Sequence, residues 1–291
     1  MSGAAAYLQL TKPRLVPLVL LSGLPALVMA AGGWPDASTV VLVLAGTALA
    51  GGAANSLNSY LECDLDAIME RTRSRPLPAG ELPPWRALCF GLALGVVGPG
   101  LLWAHSGPAA ALVALAGILF YVFVYTLWLK PRTSAAVIAG GVAGAVSPLI
   151  ADVAVSGQVG AAGAIVFSII FVWQPPHFWA ISLYRRQEYE AAGFPLLVSR
   201  VGNARTCRSI VLWIAALVPL TLAPVALGML GAFYAVAALG LGAWFLASGI
   251  RLLREQTAAA ARLVFRVSLV YLMGVLASMI VDLAWSGFSL A

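Results

Sequence analysis

Charge is scarce in this chain. Only 10% of its 291 residues are Asp, Glu, Lys or Arg, against 62% hydrophobic, and its mean hydropathy is +0.95. So little polar surface excludes an ordinary soluble globule and indicates a polytopic helical membrane protein. Cysteine is rarer still. Cys63, Cys89 and Cys207 supply neither a disulfide framework nor a metal motif, and they read as reduced thiols near membrane ends. Of two histidines, His105 sits between Ala104 and Ser106 in a short connection and reads as incidental, which leaves His177. An Arg/Ser-rich transit peptide is also missing, which favours a bacterial cytoplasmic membrane over an organellar one.

What is present is a series of apolar runs. Stretches of about 20 residues span a bilayer, and nine are legible: 13–32, 39–61, 85–104, 108–129, 135–154, 159–182, 208–228, 231–250 and 265–285. The first, preceded by Lys12 and Arg14, reads as a signal anchor. All 17 Lys and Arg lie before the first run, in or beside the connections after runs two, four, six and eight, or at the adjoining helix ends. The other side has none. By the positive-inside rule the N-terminus and the long loops are cytoplasmic. The net charge of +6 then reflects topology and contact with membrane lipid headgroups, not nucleic acid. The expected architecture is all-α: one domain over residues 1–291, a bundle of nine transmembrane helices with its N-terminus in the cytoplasm.

Against that poverty of charge, residues 62–78 hold four acids and three arginines. They follow directly on an apolar run, where carboxylates are costly to keep and are retained for use. A helix turns about 100° per residue, so Asn58, Glu62 and Asp66 fall in one stripe, with Asn55 at its edge and Asp64 pointing away. Hard oxygen ligands suit Mg²⁺ better than a transition metal. Arg71, Arg73 and Arg75 follow within reach of a phosphate that such a metal would touch. A diphosphate handled at the membrane surface fits both.

A second long connection on the basic side, roughly 183–207, lies four runs after the first. It is entered through Trp173-Gln174-Pro175-Pro176-His177-Phe178-Trp179 and continues into Tyr184-Arg185-Arg186. The paired prolines are expected to kink or break the helix. Lys130-Pro131-Arg132 reads equally as a further basic wall or as a topological anchor. The runs Gly51-Gly52-Ala53-Ala54 and Gly140-Gly141-Val142-Ala143-Gly144 read as close helix packing.

The series Asn58-x3-Glu62-x3-Asp66, continuing to Arg75-Pro76-Leu77-Pro78, resembles the first motif of the UbiA-type intramembrane prenyltransferase superfamily. Three further stretches resemble its heme-farnesylating branch: Tyr125 to Lys130, Gly140-Gly141 through Ser147-Pro148-Leu149, and Trp173 through Arg186. Glu62 stands where Asp is commoner. The second aspartate motif is missing, with only Glu188 and Glu190 in its place.

The resemblance implies transfer of a farnesyl group from farnesyl diphosphate to a vinyl carbon of heme b, completed by water. It implies Mg²⁺ on Asn58, Glu62 and Asp66, and diphosphate contacts from Arg71, Arg73, Arg75, Arg185 and Lys130. His177 and Tyr184 become candidates for heme, its propionates or proton handling, and a heme A synthase is the implied recipient of product. Two rivals remain at this level. A prenyltransferase acting on a quinone precursor or a lipid would be expected to keep a second aspartate motif. A secondary transporter would place its acids near the bilayer midplane.

Overall fold

The computed structural model describes residues 3–13 and 16–285; Arg14 lies outside the described residues. Among these the chain is helical throughout, without a strand. A short helix α1 (Gly3–Leu10) leads to α2 (Val16–Ala30) and α3 (Ala37–Leu61), followed by the short α4 (Cys63–Ile68) and a loop to residue 83. Then come α5 (Pro84–Ser106) and α6 (Pro108–Leu119), which continues as a π-helix over Phe120–Leu129. The fifth expected span is a broken pair, α7 (Ala136–Gly144) and α8 (Val146–Ser156). After α9 (Ala161–Tyr184) and the short α10 (Arg186–Ala191) follow α11 (Leu197–Thr221), α12 (Ala223–Ala226), α13 (Ala232–Glu255) and α14 (Ala258–Trp285).

Eight of the described helical segments are long and apolar enough to cross a membrane. The first expected span appears as α2, whose 15 residues rise about 22 Å, short of the ~30 Å hydrocarbon core. By length and composition, eight described helical segments are long enough to span, and α2 is a shorter apolar helix beside them.

Two boundaries depart from expectation. Pro175 and Pro176 lie buried inside α9, which runs on to Tyr184 without interruption, so they do not break it. The break falls instead at Gly202 in α11, at φ 79° and ψ 171°, a backbone setting that glycine adopts without strain.

The bundle is held by close approach of small residues. A Cβ on Gly98 of α5 would stand 2.7 Å from the Ala50 amide nitrogen of α3, and one on Gly46 would meet the Leu102 side chain at 2.7 Å. Between lipid-solvated helices, contact of this kind supplies the packing energy that water would otherwise drive. The side without basic residues is closed by three carboxylates at helix N-termini. Asp36 accepts from the Thr39 amide, its helix's own first turn. Asp152 of α8 accepts from the Gly160 and Gly163 amides at the start of α9, at 2.8 and 2.9 Å. Asp282 of α14 accepts from Gly231 and Tyr234 at the start of α13, at 2.6 and 3.1 Å. Each satisfies donors that a helix cannot satisfy itself and places negative charge at the positive end of its dipole.

Candidate active site

The acidic stripe survives a helix break. Helix α3 ends at Leu61 and α4 starts at Cys63, but the Glu62 amide still donates to the Asn58 carbonyl at 2.9 Å, and the Asp66 amide to the Glu62 carbonyl at 2.8 Å. Four-residue bonding thus carries the register across the junction. Asn58, Glu62 and Asp66 are buried at 2%, 7% and 6% exposure, while Asp64 is exposed. All three buried side chains face one cavity of about 260 Å³.

Each of the three has a cationic partner. Lys130 Nζ donates to both Glu62 carboxylate oxygens, at 2.5 and 2.7 Å. Arg75 Nη1 donates to Asp66 Oδ2 at 2.7 Å. Lys12 Nζ donates to Asn58 Oδ1 at 2.9 Å, and the Asn58 amide donates onward to Thr126 Oγ1 at 3.2 Å. The bond from Thr72 Oγ1 to the Asp66 carbonyl, at 2.8 Å, folds the following loop back so that Arg75 reaches its acid. Lys12 is held at a pKa of about 8, below an ordinary lysine, mainly by burial and then by the nearby Arg75 and Lys130 charges. With Arg71 also on the wall, four cations face two carboxylates. That surplus of positive charge suits an anion bearing several charges.

The wide π-helical turn of Phe120–Leu129 sets the opposite wall. It stacks Tyr121 on Tyr125 with centroids 5.3 Å apart, both on the cavity, and ends where Lys130 can reach Glu62. Lys130 Nζ also lies 5.7 Å from the Tyr125 ring centroid and 5.1 Å from that of Phe194.

Tyr121, Tyr125, Val137 and Phe178 are shared with a second cavity of about 310 Å³. This one is apolar and extends between the helices past Ala50, Gly51, Gly140 and Gly144, with Gln174 and His177 on its wall. The glycines are needed here: a Cβ on Gly140 would stand 2.8 Å from the Tyr125 ring, and one on Gly144 would overlap the Gln174 amide. His177 is sandwiched between Trp173 and Phe265, at centroid distances of 4.4 and 4.9 Å. A charged cavity thus opens into an apolar one, with two tyrosines and a phenylalanine at the seam.

The structure gathers Asn58, Glu62, Asp66, Arg71, Arg75 and Lys130 around the charged cavity and puts His177 on the apolar one. It does not bring Arg73, Tyr184 or Arg185 to either. Arg73 is exposed. Arg185 is exposed and bonds Glu188 at 2.9 Å. Tyr184 packs edge-on against Phe265 and under Arg262. Glu190 likewise pairs outward, with Arg186 at 2.7 Å. Sequence reasoning did not single out Lys12, Tyr121 or Gln174 as site residues. Lys12 carries only the signal of a topological charge, and the other two sit in apolar runs whose period gives no hint of a cavity.

Among the described residues no group of three or more His, Cys, Asp and Glu side chains converges on one point. The described residues alone offer no complete cage of such ligands. Two carboxylates and an amide oxygen facing a polar cavity do fit Mg²⁺, which characteristically takes one or two carboxylates and shares its shell with substrate phosphate.

The profile of the UbiA prenyltransferase family matches residues 19–273. A protein named protoheme IX farnesyltransferase from Gloeobacter violaceus is 41% identical over 277 residues, which cover 95% of this chain and 91% of that one. In overall shape the chain is similar to a solved digeranylgeranylglyceryl phosphate synthase, at TM-score 0.82 and 19% identity, covering 97% of this chain and 99% of that one. It is also similar to a UbiA homolog from Archaeoglobus fulgidus bound to DMAPP and Mg²⁺, at TM-score 0.66 and 18% identity, covering 94% and 99% of the two chains. By the span of the profile and by this identity over nearly its full length, the chain belongs to the UbiA prenyltransferase family.

Proposed function

We propose that this membrane protein transfers a farnesyl group from farnesyl diphosphate to a vinyl group of heme b, with addition of water, giving heme O. The observation that carries the reading is the junction of the two cavities. The charged one has the groups to hold a diphosphate, and the apolar one has the lining to take an isoprenoid chain. The name borne by its relative specifies the acceptor.

Asn58, Glu62 and Asp66 would hold Mg²⁺. When bound, the ion supplies neutralisation of the charge that builds on the leaving diphosphate. The chain's own part is larger. Lys130 and Arg75 exchange their carboxylate partners for phosphate oxygens, and Arg71 and Lys12 complete a fixed cationic wall, a preorganised stabilisation of the departing anion. With Glu188 and Glu190 paired to Arg185 and Arg186, these cations do the work of the missing second acidic motif. Tyr121, Tyr125 and Phe178 at the seam present aromatic faces to the allylic cation and keep bulk water from it.

The distribution of basic residues supports a mouth on the cytoplasmic side of a bacterial inner membrane, with the N-terminus on the same side and membrane lipid around a single domain. Product would pass to a heme A synthase. The test uses protein in lipid nanodiscs with Mg²⁺, farnesyl diphosphate and reduced heme b, read by mass spectrometry. The expected product is heme heavier by one farnesyl group and one hydroxyl, lost on chelating Mg²⁺ and lost in Asp66→Asn while that variant stays folded. Prenylation of a quinone precursor in place of heme would overturn the acceptor. Full activity in Asp66→Asn would overturn the metal site.

A further inference from the structure

Gln174 is half-buried, and its carbonyl oxygen Oε1 is buried with no hydrogen-bond partner. It lines the apolar cavity, its amide against Gly141 and Gly144, where any side chain would displace it. An unsatisfied buried acceptor costs about 1–3 kcal/mol, and a polar group of this kind in an apolar pocket fixes the orientation of whatever enters. His177, three residues on and on the same helix face, lines the same cavity.

The histidine's tautomer follows from its neighbours. Its Nδ1 lies 2.7 Å from Ser268 Oγ. With that hydroxyl donating to the Phe265 carbonyl, 2.7 Å away, it accepts from Nδ1–H. In the neutral ring this leaves Nε2 as a bare acceptor. Trp173 holds the arrangement by stacking on the ring and donating Nε1–H to the Ser268 carbonyl at 2.7 Å. One helix turn therefore presents two acceptors, beside the Gln174 amide hydrogens, to an otherwise apolar cavity.

We infer that Gln174 and His177 bind and deprotonate the water that hydroxylates the product. This rests on the farnesyl-transfer reading above. In that reaction the C1–O bond of farnesyl diphosphate breaks with its electron pair leaving on the diphosphate. The vinyl π electrons form the new carbon–carbon bond, and the positive charge comes to rest on the vinyl carbon next to the macrocycle. A water donating one hydrogen to Gln174 Oε1 and the other to His177 Nε2 turns its lone pair toward that carbon. The carbon–oxygen bond forms and the second proton passes to Nε2, then to the released diphosphate. Without a held water, the cation loses a proton from the adjacent carbon and becomes an alkene. Gln174 is a positioning residue for the nucleophile, and His177 takes the proton.

The experiment is product partition in isotopically labelled water, with the nanodisc protein, Mg²⁺, farnesyl diphosphate and reduced heme b. Gln174→Leu should release diphosphate within a few-fold of the parent protein. Its product should shift toward the farnesylated heme lighter by one water, raising the alkene-to-alcohol ratio about tenfold, the worth of one hydrogen bond. Gln174→Glu, which keeps an acceptor oxygen in the same volume, should restore labelled alcohol. If Gln174→Leu does not insert and fold, Gln174→Asn, shorter by one methylene, carries the same expectation. A folded variant that makes labelled alcohol in the parent's proportion would falsify the assignment, and so would one that releases no diphosphate, since the role begins after ionisation. Failure of the parent protein to farnesylate heme at all would instead sink the proposed function.

Discussion

The pair Lys130–Glu62 offers the most exacting test of how the charged cavity is kept stable before substrate arrives. Glu62 is buried, with its side chain 9% exposed, and Lys130 retains 24%. Both carboxylate oxygens are used by the one ammonium. Removing one partner of a buried pair costs about 3–5 kcal/mol, most of it from the charge left behind. Because Lys130 still meets solvent, Lys130→Met should lose about 2–3 kcal/mol. At roughly 2–4 °C per kcal/mol for a chain of this size class, the apparent Tm should fall by about 5–10 °C. Scan rate must be held fixed, since large proteins often unfold irreversibly.

Glu62→Gln/Lys130→Met should recover part of that loss, because a neutral amide needs no counter-charge, giving a coupling of about 1–3 kcal/mol in the double-mutant cycle. Fluorescence-monitored melting in detergent, with and without Mg²⁺, reads all four proteins. Mg²⁺ should restore Tm in Lys130→Met, where the carboxylate is free for it, and should not in the double variant. Additive losses in the cycle, or equal Mg²⁺ effects in both variants, would refute the reasoning.

Three other outcomes follow from the geometry. Arg75→Ala should depress turnover about tenfold or more by removing a charge-assisted contact, whereas exposed Arg73→Ala should stay within about twofold, a contrast read in the same heme assay. Gly98→Ala should destabilise by about 1–3 kcal/mol, because its Cβ meets backbone 2.7 Å away and α3 and α5 must part; melting and helix–helix crosslinking would show it. Asp282→Asn keeps the size of the cap but loses its charge at the α13 N-terminus. It should lower stability by about 1–2 kcal/mol while leaving KM for farnesyl diphosphate unchanged.

The acidic stripe was legible because its spacing is a helical period, and backbone bonding keeps that period through the break at Glu62. The arginines were less so. They lie in a loop without period, and only the turn fixed by Thr72 decides that Arg75 faces inward while Arg73 faces out. Lys12 was hidden for a different reason. A lysine ahead of an apolar run satisfies the positive-inside rule whether or not it reaches a site, so topology absorbed its signal. The prolines at 175 and 176 misled because neighbouring packing accommodates them within α9, whereas the unremarked Gly202 makes the real break. The seam tyrosines depend on a π-helical turn, which no apolar periodicity announces.

The carboxylate of Asp282 carries a consequence for how the chain is made. It belongs to the last helix, yet the donors it satisfies belong to the first turn of the one before. Until residue 282 has emerged from the ribosome, the start of α13 lacks its cap, and once it has emerged, an unpartnered Asp must be moved to the far face of the membrane. Asp152 poses the reverse order, since it is synthesised ahead of the amides of Gly160 and Gly163 that receive it. Both difficulties vanish if each helix pair enters the bilayer together as a preformed hairpin. The unit of biogenesis would then be two helices and their shared cap, with the closing carboxylate acting as the latch that commits the pair to crossing.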